Sequence, residues 1–147
     1  MPETIPIGAD HAGFPLKQRF IEELRRLGYE PLDLGTHSAE SADYPPIAHD
    51  LARRVADGEA ERGILMCGTG LGMSYAANRH RGVRAAVAWN REVARLAREH
   101  NDANVLVVPS RQVPEAEAIE ILHAWLDTRF EGGRHARRVA AIDVEGA

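Results

Sequence analysis

The only cysteine of the chain, Cys67, closes a short apolar run, Ile64-Leu65-Met66, and is followed by glycines at 68, 70 and 72 and then by the small-residue stretch Ser74-Tyr75-Ala76-Ala77-Asn78. Strand, tight loop and helix start is the natural reading. Such a loop turns several backbone N–H groups toward one point and stabilises an anion there. A thiol beside an anion hole points to proton or acyl chemistry; the competing reading is a tight turn with a buried core cysteine. The spacing rules out two nucleotide loops. A dinucleotide fingerprint needs its third glycine one residue later, and Met73 stands where a phosphate loop carries its lysine.

Other polar groups share this position after an apolar run. Asp10-His11-Ala12-Gly13 follows the first such run and suits sugar hydroxyls or a phosphate; Asp10 could equally cap the next helix. His100-Asn101-Asp102 falls at a helix end, where the dipole favours a cationic imidazole, so His100 is either a general acid/base or a capping residue, and Asn101 is open to a turn role. Arg134 and Arg138, four apart on one helical face beside Arg137, could grip a phosphate through charge-assisted hydrogen bonds or form a solvated basic face. Arg111, after the fifth apolar run, could join the same phosphate pocket. Among seven histidines there is no H-E-x-x-H, no paired cysteines and no tight His/carboxylate spacing, so no metal is expected, and His37, His49, His80 and His123 are expected at the surface or in the core. No G-x-S-x-G nucleophile elbow is present.

These groups must be positioned by alternating strands and helices. Ile5–Ala9, Tyr29–Leu34, Ile64–Cys67, Val83–Ala88 and Val105–Val108 read as strands, the fourth as a buried parallel one. Pro15 suits the first turn of a helix with Leu16, Phe20, Leu24 and Leu27 on one face, stopped at Gly28. Pro46 opens a second helix with Ile47, Leu51 and Val55 inward, ending at Gly58; the glycine loop leads into a third reaching Asn78. Asn90 caps a helix carrying Val93, Leu96 and Ala97, and Pro114 opens one with Ile119, Leu122 and Trp125 or Leu126 inward. Glu131-Gly132-Gly133 breaks the pattern before a last helix from about Arg134 to Ile142. Five βα units predict a three-layer α/β/α, Rossmann-like open sheet of about five mostly parallel strands, with ligands beyond the carboxyl ends of the strands.

Bulk properties narrow the class. A chain of 147 residues is expected to form one domain with a real core. A net charge of -4, from 18 basic and 22 acidic side chains, gives no overall basic excess for nucleic acid. One cysteine excludes an internal disulfide framework and fits a reducing compartment. The start, Met1 to Pro6, is no leader, and no run approaches the roughly 20 apolar residues that span a bilayer. The expectation is a cytoplasmic protein with no membrane or nucleic-acid partner.

Six motifs then occur in order: Gly8-Ala9-Asp10-His11-Ala12-Gly13, Asp43-Tyr44-Pro45, Cys67-Gly68-Thr69-Gly70-Leu71-Gly72, Ala76-Ala77-Asn78, His100-Asn101-Asp102, and Glu131-Gly132-Gly133-Arg134-His135 through Arg138-Val139. Over nearly its whole length the chain resembles the type B ribose-5-phosphate isomerases, in the family that also holds galactose-6-phosphate isomerase subunits. The resemblance implies interconversion of D-ribose 5-phosphate and D-ribulose 5-phosphate without metal or organic cofactor. It implies Cys67 as the base that moves a proton between C2 and C1 through a cis-enediolate, with the N–H groups of Gly68, Gly70, Leu71 and Gly72 on the developing oxyanion and Thr69 passing a proton between the oxygens. His100, with Asp10, opens the furanose ring, and Asn101 holds the intermediate. His11, Arg111, Arg134 and Arg138 bind the phosphate; Tyr44 lines the pocket, and Ser74 belongs to the substrate-binding set. The resemblance further implies a dimer or tetramer with the C-terminal helix (about 134–143) packed on a partner, and His100, Asn101 and Arg111 supplied across that interface. One branch of the family uses a loop glutamate instead of the cysteine; Met73 holds that position here, leaving Cys67 as base. The loop N–H groups and the helix start are expected to lower the thiol's pKa. The alternatives are the same chemistry on a hexose 6-phosphate (allose or galactose 6-phosphate) or a tetrose phosphate, and a non-catalytic sugar-phosphate binding protein.

Overall fold

Apolar side chains alternate between the two faces of one parallel sheet, and that alternation builds the protein. A computed structural model describes residues 1–40 and 42–144. Five strands, β1 (Thr4–Ala9), β2 (Glu30–Asp33), β3 (Gly63–Cys67), β4 (Ala85–Val87) and β5 (Val105–Pro109), lie in the order β2-β1-β3-β5-β4 with every pairing parallel. Six helices connect and flank them: α1 (Phe14–Arg26), α2 (Tyr44–Ala56), α3 (Leu71–Ala77), α4 (Arg91–Asn101), α5 (Glu115–Asp127) and α6 (Arg134–Ala140). Ile64 and Met66 of β3 and Leu106 and Val108 of β5 face one core, shared with Phe20, Leu24, Ile121 and Trp125 of α1 and α5. Leu65, Cys67, Val105 and Val107 face the other, shared with Leu51 and Val55 of α2 and with Met73 and Ala77 of α3. None of the described helices is long and apolar enough to cross a membrane.

Most boundaries follow the local chemistry expected of them. Pro15 lies in the first turn of α1, Gly28 takes a left-handed φ of 92° just past its end, and the Asn90 side chain accepts the Val93 N–H at 2.8 Å to cap α4. Four expectations shift. Helix α2 begins at Tyr44 rather than Pro46, because Asp43 is its cap and the prolines fit the first turn, where no N–H is needed. Strand β4 shrinks to three half-buried residues at the sheet edge, not a buried strand, because β5 alone pairs with it. Leu27 falls outside α1 and is exposed, and α6 stops at Ala140, short of Ile142.

Asn78, just after α3, closes that open edge. Its amide nitrogen donates to the Ala85 carbonyl at 3.0 Å and its carbonyl oxygen accepts the Ala85 N–H at 2.8 Å, so a side chain takes the place of a neighbouring strand.

On the opposite side, Glu23 of α1 is almost wholly buried and ties α1 to α5. Arg26 donates to it twice, at 2.6 and 3.0 Å, and His123 of α5 lies against the same carboxylate. Those hydrogen bonds, Arg26 first and His123 second, hold its pKa at about 2, below the ordinary 4.5. A carboxylate lowered in the folded state contributes stability that is full above 4.5 and is lost as pH falls toward 2. Glu23→Gln is therefore expected to lower the urea midpoint at pH 7 and to flatten its decline between pH 4.5 and 2. Equal slopes for the two proteins in that window would remove the ion cluster from the acid response.

Candidate functional site

Three loops meet at the carboxyl edge of the sheet. Cys67 ends β3 in register with Pro109 of β5, and the Ser110 hydroxyl donates to the carbonyls of Cys67 at 3.2 Å and Ala12 at 3.3 Å, joining the loops after β1, β3 and β5. Gly13 allows this approach, since a Cβ there would lie 2.8 Å from the Met66 carbonyl oxygen. Asp10 is buried and its carboxylate accepts the Gly13 N–H at 3.0 Å, so it braces the entry to α1 while its charge acts on Cys67. The local bracing role of Asp10 is the one this hydrogen bond shows. His11 accepts the Ala42 N–H on Nδ1 at 3.3 Å, linking this loop to the segment that leads into α2.

The glycine loop divides its N–H groups. The N–H groups of Met73, Gly70 and Thr69 favour the charged form of the Cys67 thiol, whereas the Leu71 N–H donates to the Thr69 hydroxyl at 3.2 Å. Among the described residues the N–H groups of Gly68 and Gly72 have no acceptor. Gly70 makes the turn with φ of 80°. The Ser74 hydroxyl donates to the Leu71 carbonyl at 2.7 Å, inside its own helix. Leu71 is exposed, and the Tyr44 ring covers Gly72.

The thiol's acidity departs from expectation. Burial pushes the Cys67 pKa above its ordinary value, Asp10 adds to that, and the N–H groups of Met73, Gly70 and Thr69 only partly oppose it. The sulfur faces the inner side of α2 and α3, and loss of water there outweighs the loop dipoles.

His100 and Asn101 lie elsewhere. Helix α4 runs back along the sheet, so its C-terminus lies at the amino edge, just before β5 begins. β5 spans five residues, or about 13 Å, between that edge and the level of Cys67. Helix α6 lies against the same end of α4: the Glu131 N–H donates to the Glu99 carbonyl at 2.9 Å, and the His135 ring stacks on His100 with centroids 4.3 Å apart and planes 12° apart. Arg134 and Arg138 are exposed on α6, beside this stack. The residues expected to form one site thus lie on opposite edges of the sheet within a single chain.

The family described as Ribose/Galactose Isomerase matches residues 5–142. The chain belongs to this family. It is 49% identical over 140 residues to ribose-5-phosphate isomerase B of Escherichia coli, covering 95% of this chain and 94% of that one. The solved ribose 5-phosphate isomerase of Thermotoga maritima superposes with a TM-score of 0.93 at 49% identity, over 96% of this chain and 97% of that one. The Mycoplasma genitalium ribose-5-phosphate isomerase B, solved with bound ribulose-5-phosphate, gives 0.91 at 41% identity, over 95% and 93% of the two chains.

Against the family pattern, one residue changes place. Arg111 was expected from a partner, but its side chain lies over Gly68 of its own chain, its Cδ 3.3 Å from where a Cβ would stand, and its N–H donates to the Gly68 carbonyl at 3.0 Å. The cause is topological: β5 is the immediate neighbour of β3, so the loop after β5 falls beside the glycine loop. Sequence reasoning named neither Glu131 nor His135 as a site residue, although both sit inside the last motif. Their ligand atoms and those of His100 lie within 4.8 Å of one another. The parallel imidazoles keep their lone pairs in separate planes, so the cluster is a stack rather than a chelate. A cleft of about 620 Å³ at the amino edge gathers Arg62, Arg84, Arg98 and Arg129. Three of these already bond Glu3, Asp102 or main-chain carbonyls, which makes it a structural girdle.

Gly72 offers a test of the pocket wall. A Cβ there would fall 2.6 Å from Cε1 and Cζ of Tyr44. Tyr44 is partly exposed, so Gly72→Ala should displace the ring at a cost of only about 1 kcal/mol. The expected result is a raised KM with an intact fold; an unchanged KM would take Tyr44 out of the binding surface.

Proposed function

We propose that this protein is an aldose–ketose isomerase that interconverts D-ribose 5-phosphate and D-ribulose 5-phosphate without a metal or organic cofactor, as a cytoplasmic homodimer or larger homo-oligomer. The observation that carries the reading is the Cys67 thiol, held among backbone N–H groups at the carboxyl edge beside Asp10. The names of the full-length relatives support the substrate.

In this reading His100 protonates the ring oxygen O4 as the C1–O4 bond breaks, and Asp10 takes the anomeric hydroxyl proton, leaving the C1 aldehyde. The Cys67 thiolate then removes the C2 proton. Negative charge moves to O1 of the cis-enediolate and meets the N–H groups of Gly68 and Gly72. Thr69 passes a proton from O2 to O1, and return of the carbon-bound proton to C1 completes the ketose. Asn101 holds the intermediate, and His11, Arg111, Arg134 and Arg138 surround the phosphate.

A single chain cannot assemble this set, because its halves lie on opposite sheet edges. A two-fold partner resolves the difficulty by laying its own His100, Asn101 and α6 across the Cys67 mouth. Surface chemistry supports association: Leu71, Tyr75, Trp89 and Ile142 are about half exposed or more, and α6 buries only His135 against its own chain.

The test is D-ribose 5-phosphate with the purified protein in EDTA, with allose 6-phosphate and galactose 6-phosphate in parallel. Ketose formation from the pentose phosphate alone is expected. Turnover of a hexose phosphate alone would move the substrate, and phosphosugar binding without turnover would favour a sensor.

A further inference from the structure

We propose that His135 is a positioning residue for the proton-transfer step of His100, acting through the stacked ring rather than through a hydrogen bond. The proposal rests on the ring-opening reading of His100 given above.

No hydrogen bond from a described residue orients the His100 imidazole. Its nearest carboxylate oxygen, on Glu99, is 3.8 Å away, outside hydrogen-bond range. What meets the ring is His135, face to face at 4.3 Å and 12°. A general acid must present its N–H along one line to the leaving oxygen, and enzymes usually fix an imidazole with a hydrogen bond to its second nitrogen. Here the flat contact has that task. His135 is 6% exposed, the only buried residue of α6, and its Nε2 has no hydrogen-bond partner, with the Glu131 carboxylate 3.7 Å away. A buried polar nitrogen without a partner destabilises a fold, so the use of this side chain lies in its ring face.

Ribulose 5-phosphate separates ring opening from enolisation, because it is already open-chain. Exchange of its C1 proton with D2O requires Cys67 but no ring chemistry. His135→Ala is expected to lower net conversion of ribose 5-phosphate by about ten- to a hundredfold, while C1 exchange stays within about twofold of the parent protein. His135→Phe keeps a flat ring and is expected to restore conversion to within about threefold. Inhibition by inorganic phosphate, which reads the placement of Arg134 and Arg138, should be unchanged in both. Equal loss of exchange and conversion, weakened phosphate inhibition that tracks the loss, or failure of the Phe variant to rescue would overturn the proposal. His100→Ala, run alongside, isolates the underlying reading: if it loses exchange together with conversion, ring opening is the wrong step for His100. The stack is then judged on whether His135→Ala reproduces the His100→Ala profile and His135→Phe reverses it.

Discussion

Cys67→Ala is expected to reduce isomerisation by about a thousandfold while leaving fold and phosphate binding in place. The thiol is 5% exposed and packs among Leu65, Met73 and Val107, so its removal leaves a small void worth about 1 kcal/mol rather than a broken core. No other described side chain of the glycine loop can take a carbon-bound proton: Thr69 is a hydroxyl, Met73 a thioether and Leu71 a hydrocarbon. Cys67→Ser sharpens the test. It preserves an acceptor for the N–H groups of Thr69, Gly70 and Met73, but its oxygen stays protonated at any workable pH, so it should be as inactive as the alanine variant. The unmodified protein should show an alkaline limb: burial raises the thiol, so the thiolate fraction grows as pH rises past the ordinary thiol value. Turnover near that of the unmodified protein in the serine variant would remove Cys67 from the base role.

The second large effect is rescue. Cys67→Ala and His100→Ala proteins, each with little activity alone, should regain it when mixed under conditions that allow subunit exchange. Random exchange makes half of the dimers mixed, and each mixed dimer rebuilds one of its two sites, so recovery should approach about a quarter of the unmodified activity. The physical basis is the five-residue length of β5, which separates Cys67 from the α4–α6 end of the same chain. No recovery despite demonstrated exchange would mean that each site draws on one subunit.

Periodicity made the architecture legible. The short continuous apolar runs of β3 and β5 and the helical stripe along α1 mark buried strands packed against helices, and these short-range patterns survive folding unchanged. The candidate site residues were visible as residue types at strand and helix ends. Quantities set by packing at a distance were less accessible. Cys67 has its loop dipoles in the sequence beside it, but the side chains of α2 and α3 that strip its water are far along the chain. Arg111 was misplaced because its neighbour depends on sheet order, which a list of strands does not contain. His135 looked like one more residue of a basic helix, and only the packing of α6 on α4 reveals that it meets His100. β4 read as a buried strand because Val83 to Ala88 is apolar apart from Arg84, yet its open side marks it as an edge.

The amide of Asn78 has an effect on assembly. By occupying both main-chain groups of Ala85, it denies an incoming chain the ladder through which two sheets would fuse into one. In the proposed oligomer, any contact at this edge would be made through exposed side chains such as Tyr75 and Trp89. An association of that kind can be tuned or abolished by surface substitution without unravelling either sheet, and it does not template further copies into a fibre.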